Sequence, residues 1–173
     1  MKRIILNIAV SLDQRIAEPC GSLEWLTGFS TTVNSCKDVL ASADTIIMGG
    51  RTYRELLNMD VTWPYPEQMT YIVSRNNWGN KENTRFITSD VIESISALRN
   101  EPGKNICLVG GAELISMLLS ADLIDEMQIC YIPVILGSGI PLFHEQANST
   151  KWELKECTAY TPDIMKVTYG KIN

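Results

Sequence analysis

The chain is poor in the groups that build metal centres and bind polyanions. Among its 173 residues His144 is the single histidine, and the five cysteines, Cys20, Cys36, Cys107, Cys130 and Cys157, are odd in number and widely spaced. Such spacing excludes a C-x-x-C zinc pattern and a disulfide framework, so no metal site is expected. Basic residues are outnumbered, 15 Lys and Arg against 20 Asp and Glu, giving a net charge of −5 and a pI near 4.9. That field repels nucleic acid and anionic membrane surfaces and leaves a small-molecule ligand as the expected partner. No stretch approaches the roughly 20 apolar residues of a membrane helix. The opening run MKRIILNIAVSLDQR is broken by Asn7 and Ser11 and is followed by no small-residue cleavage site. It reads as a strand rather than a signal peptide and predicts a cytoplasmic protein.

What is present is an ordinary globular composition, 45% apolar and 20% charged, without repeats or linkers. A chain of this length supports one core, so residues 1–173 are read as a single domain. Strand-like runs rich in β-branched residues occupy 3–10, 45–48, 69–74, 85–87, 105–109 and 126–132. Between them lie a weak helical pattern at 29–40, a short one at 52–57, one at 91–98 introduced by the capping candidates Ser89 and Asp90, and the clearest at 112–119. Strands alternating with helices predict an α/β fold with a mostly parallel sheet. The last quarter, 151–159 and 164–172 around Tyr160-Thr-Pro-Asp163, has no room for a helix and predicts an antiparallel hairpin.

Chemistry concentrates where strands end. Asn105-Ile-Cys-Leu-Val-Gly-Gly-Ala-Glu-Leu-Ile115 runs from a strand through two glycines into the best helix. Gly110 and Gly111 either form a tight turn alone or let a phosphate approach the free N–H groups of the helix start. The junction at Thr45-Ile-Ile-Met-Gly-Gly-Arg-Thr-Tyr53 repeats the arrangement and adds Arg51, whose planar fork suits phosphate, and Thr52, which can cap or donate. Ser74 and Arg75 follow a third strand. Three such junctions in one small acidic domain point to an extended, multiply anionic ligand such as a dinucleotide. Asp13, after the first strand, serves either to accept hydrogen bonds from substrate hydroxyls or to fix a turn. The segment 131–143 reads as core plus a packed apolar loop and is the expected face of a homodimer. His144 has no partner pattern of a catalytic triad and is expected on the surface.

In order along the chain, Val-Ser-Leu-Asp13, Ala43-Asp-Thr-Ile-Ile-Met-Gly-Gly-Arg-Thr-Tyr53, Ile72-Val-Ser-Arg75, Leu108-Val-Gly-Gly-Ala-Glu-Leu114 and Ile132-Pro-Val-Ile-Leu-Gly-Ser-Gly-Ile-Pro-Leu-Phe143 resemble the dihydrofolate reductase superfamily. The chain is most similar to stand-alone relatives of the reductase half of the bifunctional riboflavin-biosynthesis deaminase-reductase. The resemblance implies a three-layer α/β fold, with a central mixed, mostly parallel sheet of about eight strands, flanking helices and a C-terminal antiparallel hairpin. It also implies NADPH lying across the strand ends. Gly110, Gly111, Ala112, Glu113 and Leu114 would meet the pyrophosphate and nicotinamide portion, Gly49, Gly50, Arg51 and Thr52 a phosphate, Ser74 and Arg75 the adenosine 2′-phosphate, and Ala9 and Ile16 the nicotinamide. Asp13 would face a substrate ribose, with Glu126 a second candidate. Hydride transfer to a C=N or similar bond of a small heterocycle, such as a ribosylaminopyrimidine of riboflavin biosynthesis, is the implied activity. Two departures stand out: Gln14 replaces the glycine usual after Ser-Leu-Asp, and Trp25 to Lys37 holds no carboxylate. Folate reduction uses a carboxylate there; Glu24 is the nearest, and losing a placed general acid costs about 10²–10⁴-fold. Dihydrofolate reduction is therefore the alternative activity, and nucleotide binding without turnover a third.

Overall fold

Strand β1 (Ile4–Val10) sends Ile4, Leu6, Ile8 and Val10 to one side of the sheet and Ile5 to the other, and nearly all are buried. A strand covered on both faces must be apolar at consecutive positions, which is why its alternation is invisible in the sequence. The computed structural model describes residues 1–29, 31–79, 81–145, 149–160 and 163–172, without the side chains of 31–36. The elements that follow are β2 (Arg15–Ala17), a 3-10 turn (Glu24–Leu26), α1 (Thr31–Ser42), β3 (Ala43–Gly49), α2 (Gly50–Asn58), β4 (Met69–Val73) and β5 (Thr84–Ile87). Then come α3 (Val91–Asn100), β6 (Asn105–Leu108), α4 (Ala112–Ser120), β7 (Glu126–Tyr131), β8 (Ile140–Pro141), β9 (Trp152–Tyr160) and β10 (Ile164–Lys171).

Eight strands form one sheet in the order β5-β4-β3-β6-β1-β7-β10-β9. All pairings from β5 to β7 are parallel, and β10 joins β7 and β9 antiparallel. Helices α3 and α4 bury Ile95, Leu98, Leu114, Ile115 and Leu118 against one face. On the other, Val39 of α1 and Tyr53 of α2 pack on Ile46, Met48, Ile72 and Cys107. This is the expected three-layer α/β fold with its terminal antiparallel pair, and it sets the carboxyl ends of β1, β3, β4 and β6 along one edge.

Some local expectations change. The strands β2 and β8 pair with one another in a small second sheet, and both are too short for a sequence pattern. Helix α2 begins at Gly50 after the N-cap Gly49, so Thr52 lies inside the first turn and is not the cap. Asp90 does stand at the N-cap of α3, in a left-handed conformation, but its side chain makes no capping bond. Gln14 has φ of +58°, the left-handed region where glycine is usual and where any other residue costs about 1–2 kcal/mol. Of the expected hairpin turn, residues 161 and 162 lie outside the described residues, as does residue 30 of the weak helical pattern. Among the described residues Cys20, Cys107, Cys130 and Cys157 form no disulfide, and no helix is long and apolar enough to cross a membrane.

Candidate active site

Because β3 and β6 are neighbours, their two strand-to-helix junctions lie side by side. The Gly49 N–H donates to the Gly110 carbonyl at 2.8 Å, and the Val109 N–H to that of Ile47 at 3.0 Å. A methyl group at Gly49 would stand 3.4 Å from the Gly111 nitrogen, so both turns are bare backbone. Gly110 has φ of +107° and joins Gly111 through a cis peptide bond. Both helices that leave these turns, α2 and α4, have a glycine N-cap and no side-chain capping bond. Their first N–H groups are thus left to the solvent or to a ligand, at the positive end of each helix.

Both junctions open into a cleft of about 780 Å³. Ala9, Ile16, Gly49, Gly50, Arg51, Thr52, Gly111, Ala112, Glu113 and Leu114 all line it, which brings together most of the residues expected at a cofactor. Ile16 and Ala17 belong to β2, which pairs with β8, and just before β8 Gly139 is required: with φ of +134°, any side chain there would run into the Ala17 carbonyl. Ser74 does not line the cleft but backs it, its Oγ 2.9 Å from where a Gly50 side chain would begin. Arg75 is exposed beside it, and Gly110 lies behind Gly111 as the acceptor of the Gly49 bond.

Sequence reasoning missed Arg54, Glu55, Leu56 and Tyr65, which also line the cleft. Arg54 carried a signal, since it follows Arg51 by three positions and so shares its helix face. Its guanidinium carbon stands 5.4 Å from the centroid of the Trp78 ring, which in turn stacks on Tyr53. His144 is exposed, as expected, and sits at the rim of the same cleft.

The carboxylates expected at the substrate are placed differently. Glu126 begins β7, whose carboxyl end points to the cleft, so Glu126 sits at the opposite edge of the sheet, ~16 Å along the strand. There it pairs with Arg3 at 2.9 Å and accepts a bond from Gln128, which removes it from the substrate site. Glu24 points to solvent from the 3-10 turn while its neighbours Leu23 and Leu26 line the cleft. Asp13 does not line the cleft. Its Oδ1 accepts bonds from the Ser11 hydroxyl at 2.6 Å and the Leu136 N–H at 3.1 Å, and its Oδ2 accepts one from the Gly137 N–H at 2.9 Å. It clips the 134–139 loop to the end of β1. Of the 131–143 segment, Ile132 and Leu142 are buried in the chain's own core, leaving Ile135 and Phe143 as exposed apolar surface.

The clip has a pH signature. The Ser11 hydroxyl, assisted by the Leu136 and Gly137 N–H groups and opposed by partial desolvation, lowers the Asp13 pKa from 3.8 to about 2. A carboxylate more acidic folded than unfolded contributes stability above its unfolded pKa and loses it as pH falls through the folded one. Asp13→Asn is therefore expected to lower the melting temperature at neutral pH, with the difference from the parent protein shrinking between about pH 4 and pH 2. Melting curves across that range check it; a difference independent of pH would show that the charge is not what holds the loop.

A family model described as the RibD C-terminal domain matches residues 2–166. The chain belongs to the RibD C-terminal domain family. It is 39% identical over 156 residues to the uncharacterized protein YwjB of Bacillus subtilis (strain 168), covering 89% of this chain and 90% of that one. Among solved structures, a putative riboflavin biosynthesis protein from Shewanella sp. PV-4 superposes with a TM-score of 0.86 at 28% identity, over 99% of both chains. The Thermotoga maritima diaminohydroxyphosphoribosylaminopyrimidine deaminase/5-amino-6-(5-phosphoribosylamino)uracil reductase gives 0.72 at 14% identity, over 99% of this chain and 57% of that one. A dihydrofolate reductase from Enterococcus faecalis, complexed with NADP(H), gives 0.68 at 17% identity over 99% and 97%. These last two share the fold, so this member of the RibD C-terminal family has the dihydrofolate reductase-like architecture, and its family points to an oxidoreductase.

Proposed function

We propose that the protein is an NADPH-dependent reductase that delivers hydride to a C=N or similarly polarised bond of a small heterocyclic substrate. The observation that carries this reading is the convergence of two uncapped, glycine-started helices on one cleft at the carboxyl edge of the parallel strands. Each helix start offers backbone donors to a phosphate, and two of them side by side suit a pyrophosphate. Arg51 and Thr52 would add charge-assisted and hydroxyl bonds, and Ser74 and Arg75 would meet a 2′-phosphate. Ala9, Ile16 and Leu114 would form the apolar seat of the nicotinamide. The bound dinucleotide would supply the hydride; the chain's own task is to hold the substrate against the Ala9 and Ile16 surface and keep water away.

NADPH is expected to bind at least about 10-fold more tightly than NADH, since each bond to the additional phosphate is worth about 1.5–3 kcal/mol. Calorimetric titration with both cofactors measures this, and equal affinities would remove the 2′-phosphate assignment. Cofactor oxidation followed against a panel of ribosylaminopyrimidines and dihydropteridines then tests turnover. Tight NADPH binding with no oxidation by any of them would favour a nucleotide-binding protein without catalysis.

A further inference from the structure

His144 lines the cleft together with Glu113, Leu114 and Met117 of α4 and with Ile140 and Pro141 of β8. It also lines an open hollow beside the cleft, whose other walls are Glu113, Ser116, Met117 and Ser120. Those four positions are three and four residues apart and fall on one face of α4, so His144 stands against that face, beside the start of the helix. The chain holds it there. Leu142, two residues earlier, is buried in the core and its N–H donates to the Gln14 carbonyl at 2.9 Å, while Ile140 and Pro141 pair with Ala17 and Arg15 of β2.

Glu113 gives this placement a chemical consequence. It lies in the first turn of α4, where a pyrophosphate would approach the uncapped N–H groups, and its carboxylate enters no hydrogen bond or ion pair among the described residues. A carboxylate in that turn suits the helix dipole of the free protein, but it repels a phosphate brought to the same place. The arginines that line the cleft, Arg51 and Arg54, belong to α2. Along the parts of α4, β8 and the following residues that line it, His144 is the side chain able to carry positive charge. A histidine ordinarily takes up its proton at about pH 6.5, and neighbouring phosphate oxygens favour the charged ring. The charged groups around His144 are Glu113 on α4, Glu145 next in the chain and Arg15 of β2, which donates to the Gly139 carbonyl at 3.5 Å. Residues 146–148 are Gln, Ala and Asn and bring no charge. Carboxylates and guanidinium groups ordinarily keep their charge between about pH 5.5 and pH 8, which leaves the imidazole as the group that changes.

We infer that His144 is a cofactor-binding residue, which as imidazolium donates to the dinucleotide pyrophosphate at the start of α4 and offsets the Glu113 carboxylate there. The inference rests on the reductase reading above and adds the protonation state in which the site holds its cofactor. Binding of the anion makes the ring hold its proton more firmly, so by reciprocity the affinity rises as pH falls through the range where the ring becomes charged.

The test uses ADP-ribose, which keeps the pyrophosphate and lacks the 2′-phosphate, whose own second ionisation at about pH 6 would overlap the effect. Calorimetric titration of the full-length protein at constant ionic strength is expected to show about 10-fold tighter binding at about pH 5.5 than at about pH 8. Near neutral pH the binding enthalpy should change with the ionisation heat of the buffer, as uptake of a proton requires. In His144→Gln the affinity should no longer follow pH, nor the enthalpy the buffer. A parent protein whose ADP-ribose affinity is the same at both pH values overturns the inference, as does a His144→Gln variant that keeps the parent's pH profile. So does ADP-ribose binding too weak to detect at millimolar concentration in a protein that binds NADPH, because the pyrophosphate would then contribute too little. These three outcomes leave the reductase reading standing. If neither ADP-ribose nor NADPH binds, that reading fails and the role of His144 falls with it.

Discussion

Gly111→Val is expected to abolish measurable NADPH binding while the chain stays folded. Gly111 has φ of −82° and ψ of −167°, a conformation open to any residue, so a side chain there brings no backbone penalty of the left-handed kind. A Cβ at this position would find the Thr52 Oγ1 at 3.6 Å, an ordinary contact, and nothing closer. The fold therefore has no steric need for a glycine here; the open space in front of it belongs to the cleft. Branched methyl groups would stand in front of the first N–H groups of α4, where a pyrophosphate must approach the backbone closely. Losing those bonds at a doubly charged group is expected to cost about 100-fold or more in affinity. Calorimetry reads the affinity, and a melting curve close to that of the parent protein shows that the fold is kept. Normal NADPH binding by a folded Gly111→Val protein would make the glycine pair a structural turn and take away the main support for the cofactor assignment.

Gly50→Val is expected to fail in a different way, by destabilising the fold. A Cβ on Gly50 would lie 2.9 Å from the Ser74 Oγ, 3.0 Å from the Ser74 Cβ and 3.1 Å from the outer edge of the Trp78 ring. The serine cannot withdraw easily, because its own N–H is bonded to the Ile87 carbonyl at 3.1 Å and its hydroxyl accepts the Asn76 N–H at 3.2 Å. Trp78 is held between Tyr53, Phe86 and the Arg54 guanidinium. Overpacking of this kind costs about 1–3 kcal/mol, and more where the neighbours are fixed. Chemical denaturation is expected to show the loss in the midpoint with an unchanged slope. The two glycines thus separate by measurement: one change removes binding at constant stability, the other lowers stability first. A Gly50→Val protein as stable as its parent would mean that the β4 to β5 loop yields freely and does not buttress the start of α2.

The local sequence determined a good deal of this protein. Short β-branched runs and a clear 3.6-residue pattern at 112–119 specified the types of the large elements, because burial on one helix face or on two sheet faces leaves a mark in consecutive residues. The strand-glycine-glycine-helix junctions were legible for the same reason, as each is contiguous. Partnership between distant segments was not. That the Gly49 and Gly110 turns touch depends on β3 and β6 being neighbours in the sheet order, and nothing in either segment records it. Asp13 clips a loop because the Leu136 and Gly137 N–H groups, 123 and 124 positions away, arrive at its oxygens. Glu126 leaves the site because the direction of β7 carries it to the far edge of the sheet. Glu55, Leu56 and Tyr65 come to line one cleft with Leu23 and Leu26 only in the folded chain. Periodicity reports what one segment buries; which segments face each other is decided by strand order and direction, and those arise from the packing of the whole sheet rather than from any one stretch of it.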